Sequence, residues 1–206
     1  VQLHRRDVVD KATQLLDDYG IADLTMRRLA RELSVTPGAL YWHFADKQAL
    51  LGAVADRILE PAAAVTMPDR WADGVLAICA GLRDALLSAT DGAELVSASF
   101  AAGKSERMAE ILERLTATAC RAGIAAPKAD LAARTVLYYV LGFTADEQSR
   151  LQWDAAGALS DDQSVMATNP NGRFTFGLGL LIDGIAAQRA GSGDHGVDPG
   201  VAVPAP

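Results

Sequence analysis

Apolar residues return every three or four positions along most of this chain, a period that predicts helices. Val8, Ala12, Leu15, Leu16 and Tyr19 mark one face of a first helix over residues 4–19, with Gly20 at its end. Leu29, Ala30 and Leu33 turn inward on a short second helix that Thr25 can cap, and Leu40 and Phe44, four apart, anchor a third. That third helix opens on Thr36 as cap and Pro37 at the first helical position, where a missing N–H costs nothing. Asp46 caps a fourth helix whose inner stripe is Ala49, Leu50, Val54 and Ile58, and Pro61 is expected to limit it. Trp71, Val75, Ile78, Leu82 and Leu86 form an amphipathic helix over 70–89, broken by Asp91-Gly92. A short apolar helix over 93–101 stops at Gly103, and another over 106–120 turns Met108, Ile111, Leu112 and Leu115 inward before Gly123. Pro127 opens a helix that reaches 153; Asn169-Pro170-Asn171-Gly172 is a strong turn, and a last helix covers 173–189. No sustained alternation of period two appears, so the fold class is all-α. From residue 191 the chain is rich in Gly, Pro and Ser, and the 191–206 tail is expected to be disordered.

Two of these helices are apolar beyond one narrow stripe. Leu131, Val136, Val140 and Leu141 crowd the first; Phe174, Phe176, Leu178, Leu180, Leu181, Ile182 and Ile185 nearly encircle the second. A helix apolar all round must be buried all round, and one small domain covers only part of that surface. A second copy of the chain is the natural cover. Val140, Gly142, Phe176, Gly177, Leu180, Leu181 and Gly184 are the expected interface, the glycines admitting close backbone approach. The competing reading is a central helix in a monomer.

Residues 25–44 have the sequence form of a helix-turn-helix, whose second helix enters the DNA major groove. Gly38 lacks bulk and lets the backbone approach DNA, while Tyr41, Trp42 and His43 crowd the exposed side and end of the second helix. Tyr hydroxyls and His N–H groups suit phosphates, which set position rather than sequence preference. Arg27 is the best candidate to read a guanine edge, since its planar fork matches the two acceptors there. The expected DNA-contact set is Thr25, Arg27, Arg28, Thr36, Pro37, Gly38, Tyr41, Trp42, His43 and Lys47. For Tyr41, Trp42 and His43 the alternative is packing against the following helix.

The net charge of −7 is unusual for a DNA binder, but its placement resolves this. Residues 1–50 hold seven Lys/Arg and seven Asp/Glu, so that segment is neutral and the remainder carries the whole −7. An acidic body remote from DNA leaves a locally basic face free to dock, with salt-dependent affinity. No apolar run approaches the roughly 18 residues needed to span a bilayer, and the N-terminus has no signal-peptide pattern, so a cytoplasmic location without membrane contact is expected. Cys79 and Cys120 lie far apart in helical patterns and are expected to be buried, reduced thiols; a redox switch is the alternative.

Gly-Ile-Ala-Asp-Leu-Thr at 20–25, Leu-Tyr-Trp-His-Phe at 40–44 and Lys-Gln-Ala-Leu-Leu at 47–51 resemble the DNA-binding domain of TetR-type transcriptional repressors, nearest the tetracycline-repressor branch. Ala-Leu-Leu-Ser-Ala-Thr-Asp-Gly-Ala at 85–93, Leu-Gly-Phe-Thr-Ala-Asp-Glu-Gln at 141–148 and Phe-Gly-Leu-Gly-Leu-Leu-Ile-Asp-Gly at 176–184 resemble its regulatory domain. The likeness spans roughly residues 5–188. It implies a three-helix DNA-binding domain at 1–46 and a ligand-binding and dimerisation domain at 47–190. In that branch a histidine of the sixth helix binds the magnesium of a drug complex. Val96 stands at the matching position here, and Tyr138 and Asp146 align with further ligand-side groups. The three histidines, His4, His43 and His195, all lie outside the regulatory body, so neither a metal nor another cofactor is expected. The resemblance implies a pocket bordered by Ile78, Leu82, Leu95, Val96, Ser99, Phe100, Met108, Leu112, Tyr138, Leu141 and Asp146, mostly apolar with a few polar groups.

Histidine-dependent catalysis has no residue in the body to carry it, and no Gly-x-Gly-x-x-Gly follows a strand, so an enzyme is not expected. The expectation is a homodimeric repressor of a palindromic double-stranded operator, released by a small apolar or aromatic effector. Alternatives are a DNA-binding regulator controlled by a protein partner or without effector, and a small-molecule-binding helical protein that does not bind DNA. An enclosed apolar cavity would favour the effector, and a filled core the partner.

Overall fold

A computed structural model describes residues 3–160, 164 and 169–191; the predicted tail at 191–206 falls almost wholly outside the described residues. Among these residues the chain is built of helices: α1 (Arg5–Asp23), α2 (Met26–Glu32), α3 (Pro37–Tyr41), α4 (Lys47–Ala63), α5 (Trp71–Leu87), α6 (Gly92–Ala101), α7 (Glu106–Arg121), α8 (Ala126–Ala155) and α9 (Pro170–Gly191). None of the described helices is long and apolar enough to cross a membrane.

One apolar core runs through the molecule. It passes from Val8 and Leu16 of α1 to Leu50 and Val54 of α4, then to Leu82 of α5, Ile111 of α7 and Leu137 of α8. Helix α4 is the shared element, packing on α1 on one side and on α5, α6 and α7 on the others. Burial of this kind stabilises by roughly 25 cal/mol per Å² of apolar surface.

The predicted helix ends move where tertiary contacts supply what local sequence lacks. The α1 helix kinks at Gly20, whose φ of +76° favours glycine, and continues to Asp23. A Cβ on Gly20 would meet the Asp91 carboxylate at 2.7 Å, so the kink also makes room for the α5–α6 turn. That turn is pinned to α1: Ile21 N–H donates to Asp91 at 2.9 Å, and Thr90 Oγ1 donates to the Asp17 carbonyl at 3.0 Å. Pro61 does not limit α4, which continues to Ala63 because Arg114 of α7 donates to the carbonyls of Ala62 and Ala63 at its end. Tyr19, placed on the inner face by its spacing, is 53 % exposed, with the Arg28 guanidinium stacked 3.7 Å above its ring.

The long helix α8 carries a charge into the core. Glu147 is buried and accepts two bonds from Arg83 of α5, Nε at 2.8 Å and Nη2 at 2.6 Å. Nη1 of the same guanidinium donates to the Asn171 side chain at 2.9 Å, and its plane lies 5.0 Å from the Phe174 ring. One arginine therefore joins α5, α8 and the start of α9. Beside it Tyr139, Phe143 and Phe174 cluster at centroid separations of 5.3–5.8 Å, and the Tyr139 hydroxyl donates to the Phe174 carbonyl at 2.9 Å. Cys79 is buried, and burial pushes its thiol up to about 12, so it stays protonated and inert. Cys120 is exposed, which corrects the expectation that both thiols are buried: α7 is amphipathic, and position 120 falls on its polar side.

Arg83→Met strands the Glu147 carboxylate in the core and should destabilise the protein by about 3–5 kcal/mol. Arg83→Met with Glu147→Leu should recover most of that loss. Urea denaturation checks both; a double variant no more stable than the single one would show that the pair is not the source of the loss.

Candidate nucleic-acid interface and effector groove

Helices α2 and α3 meet at a turn over residues 33–36. Ser34 sits there at φ +55°, and Val35 N–H donates to the Ala30 carbonyl at 2.9 Å, closing the turn. Thr25 caps α2 by accepting from Arg28 N–H at 3.2 Å. Thr36 caps α3 through its backbone only, its carbonyl accepting from Ala39 N–H at 3.0 Å; its exposed hydroxyl makes no cap bond. Pro37 occupies the first turn as its sequence position predicts.

Leu40 and Phe44 are buried and seat α3 on the core. The Arg5 guanidinium, from α1, lies 4.4 Å over the Phe44 ring and donates to the His43 carbonyl at 3.3 Å. Sequence reasoning missed Arg5, because nothing local distinguishes it from its neighbour Arg6. Thr25, Arg27, Thr36, Pro37, Gly38, Tyr41 and Trp42 are exposed, and Arg28, His43 and Lys47 are half-buried. Trp42 is 91 % exposed, so it does not pack on the following helix. An indole left in water at the end of α3 is a contact surface without a partner among the described residues.

Arg28 departs from its expected place. Its Nη1 donates to Asp23 at 2.7 Å and its plane covers Tyr19, so the guanidinium turns back onto α1 and away from solvent. Arg27 and Arg31 keep exposed side chains on the same helix.

The expected pocket set does not surround one cavity. Ile78, Leu82, Leu95, Val96 and Met108 each have no solvent-accessible surface, so no water-sized gap touches them; they are filled core. Ser99 and Leu112 are also buried, and Asp146 is exposed. Phe100, Tyr138 and Leu141 instead line an open groove of about 710 Å³ between α6 and α8. Its polar lining includes Asp91, Glu94, Ser97, Gln148, Ser149 and Gln152, none of which sequence reasoning placed at a ligand site. Gln148 donates to the Leu86 and Ala89 carbonyls and accepts from Ala93 N–H, while Gln152 donates to Asp91 at 2.7 Å. The groove thus borders the turn that holds α1. Among the described residues no group of three or more His, Cys, Asp or Glu side chains could hold a metal ion.

The expected interface set also divides. Val140 has no solvent-accessible surface, because its side chain packs inside its own chain. Gly177 serves an internal contact: a Cβ there would collide with the Tyr139 hydroxyl of the same chain. Phe176 and Leu180 are 70 % and 58 % exposed, Leu181 is half-buried, and Gly142 and Gly184 face open space. With Leu131 of α8, also more than half exposed, they form an uncovered apolar face.

Residues 8–54 match the family model for bacterial regulatory proteins of the tetR family, and residues 66–162 match the tetracyclin repressor-like C-terminal domain. The Escherichia coli class C tetracycline repressor protein is 31 % identical over 94 % of this chain and 95 % of its own length. The crystal structure of Mycobacterium smegmatis BioQ is 62 % identical, covers 90 % of this chain and 99 % of that one, and superposes with a TM-score of 0.84. BioQ crystallised with its natural double-stranded DNA operator is 57 % identical over the same shares, with a TM-score of 0.77. The exposed end of a helix-turn-helix, the helical regulatory body behind it and these likenesses give one conclusion: the chain belongs to the TetR family of DNA-binding transcriptional regulators, which are not enzymes.

Proposed function

We propose that this regulator is a homodimeric repressor of a palindromic operator, released by a small apolar or aromatic effector. The observation that carries this reading is the pairing of two uncovered surfaces. Arg27, Tyr41 and Trp42 stand exposed on the helix-turn-helix, and Leu131, Phe176 and Leu180 form an uncovered apolar face on α8 and α9. A monomer has no use for the second surface, whereas a two-fold dimer covers it with itself and presents two recognition helices to two half-sites. The related BioQ structure with its operator supports the DNA side. The N-terminal DNA-binding unit takes residues 1–46 and the regulatory body 47–190.

The α6–α8 groove is the proposed effector site. Its apolar lining of Phe100, Leu141 and Ala145 suits an apolar compound, and Tyr138, Ser97 and Gln152 orient it. Because Gln152 also holds Asp91, an occupant there can loosen the hold on α1 and lower operator affinity. The filled core around Ile78, Leu82 and Val96 favours a second reading, in which a protein partner rather than a small molecule controls the repressor.

Binding to duplexes selected from a randomised pool tests the DNA reading. Arg27→Ala should lose discrimination at one or two base pairs, about 1–3 kcal/mol for a bidentate contact, while Tyr41→Phe weakens all duplexes nearly uniformly. Equal losses for Arg27→Ala on selected and random DNA would remove its base-reading role.

Leu180→Glu places a charge without partner in the proposed seam and should shift sedimentation from dimer to monomer or yield insoluble protein. An unchanged mass for wild type and variant would refute the α8–α9 interface. Compounds that raise the melting temperature should release DNA equally with and without EDTA, since the body has no histidine to hold a metal. Release abolished by the chelator would overturn the metal-free effector site.

A further inference from the structure

We propose that Asp56 and Arg114 are positioning residues for operator binding, which lock α4 to α7 so that the helix carrying the DNA-binding unit takes its stance from α7. This rests on the reading of the chain as a dimeric DNA binder. The two helices cap each other. The Asp56 carboxylate of α4 accepts from Ser105 Oγ at 2.7 Å, Arg107 N–H at 3.0 Å and Glu106 N–H at 3.4 Å, at the start of α7. Two turns further along both helices, Arg114 of α7 donates to the carbonyls of Ala63 at 2.7 Å, Ala62 at 3.3 Å and Val65, at the end of α4. Each end holds backbone groups that a helix terminus leaves unpaired. Each also receives the charge its dipole favours, an anion at the α7 N-terminus and a cation at the α4 C-terminus.

Two further contacts extend the lock. Seven residues beyond Arg114, Arg121 donates to the carbonyls of Pro68 and Asp69 in the connection between α4 and α5. At the other end Gly52 lies so close to the Lys104 backbone that a Cβ would collide with its carbonyl. Contacts therefore run along α4 from Gly52 to the segment after Ala63, and α4 can neither slide nor pivot on α7 without breaking charge-assisted hydrogen bonds. The DNA-binding unit is tied to the same helix by the core and by Arg57, which lies 3.4 Å from Asp10 of α1. A dimer reads two half-sites well only when their separation is held, so loosening this lock costs avidity on a full site and little on one half.

The test uses the full-length protein and a palindromic duplex that wild type selects from a randomised pool. A half-site duplex and duplexes with the half-sites moved by one base pair complete the set. Arg114→Met and Asp56→Ala should bind the full site about tenfold more weakly, bind the half-site within about twofold of wild type, and discriminate less between spacings. Arg114→Lys and Asp56→Asn, which keep part of the capping, should fall between these and wild type, and they carry the test if the stronger variants do not fold. Equal losses on full and half sites, or unchanged spacing preference, would overturn the proposal while leaving the DNA-binding reading intact. A wild-type protein that selects no duplex would overturn both.

Discussion

Helix α4 is the constraint on which the rest of the molecule depends. Its residues Leu50, Val54, Ala55, Ile58 and Leu59 are buried, and neighbours surround it: α1 toward the DNA-binding unit and α5, α6 and α7 toward the body. A helix of 17 residues that serves two cores at once cannot be moved in one without disturbing the other. The connection between the two units is therefore a buried element rather than a flexible linker. The polar contacts are added to this apolar frame. Asp46 caps the start of α4 through Ala49 N–H at 2.7 Å, and Arg114 closes its end.

Charge is distributed in the same economical way. Arg83, the one buried arginine among the described residues, meets a carboxylate, an amide and an aromatic ring on two other helices. Such a pair adds little stability over an apolar substitute, but breaking it strands a charge, so it fixes which surfaces of α5, α8 and α9 face each other. In the DNA-binding unit Arg5 and Arg28 are spent on shape, one steadying the end of α3 and the other joining α2 to α1. Arg27, Tyr41 and Trp42 are left to face outward. The pairing of Arg28 with the exposed Asp23 cancels one charge of each sign, so the segment stays neutral and its outward character is set by which other side chains face solvent.

The regulatory body differs from the pocket that resemblance implies. The positions aligned with a ligand-binding wall are occupied by Ile78, Leu82, Leu95 and Val96 in close packing. An open groove lies instead between α6 and α8, where Gly142 leaves room and Tyr138 stands exposed. An alignment transfers positions along helices, but the volume between helices depends on the side chains from every element around it.

Much of the fold was legible in the residues. Period-3.6 stripes, the caps Thr25 and Asp46, Pro37 and the break before Gly92 act within a few residues of themselves, whereas Gly20 only kinks α1, and Pro170, Asn171 and Gly172, expected as a turn, open α9. Local sequence therefore determined the number, order and approximate ends of the helices, and the helix-turn-helix itself. Whether a given arginine stays exposed or folds back was not legible: Arg27 and Arg28 are adjacent, and only the placement of Tyr19 and Asp23 on α1 withdraws the second. The Arg83–Glu147 pair joins positions 64 apart, and the Asp56 and Arg114 caps join positions 49 to 52 apart. Exposure of Phe176 and Leu180, against burial of Val140, was equally undecided by an all-apolar pattern. Periodicity reports that a face is apolar; which other element covers it is decided by tertiary packing, because burial is a property of the space between helices and not of any one of them.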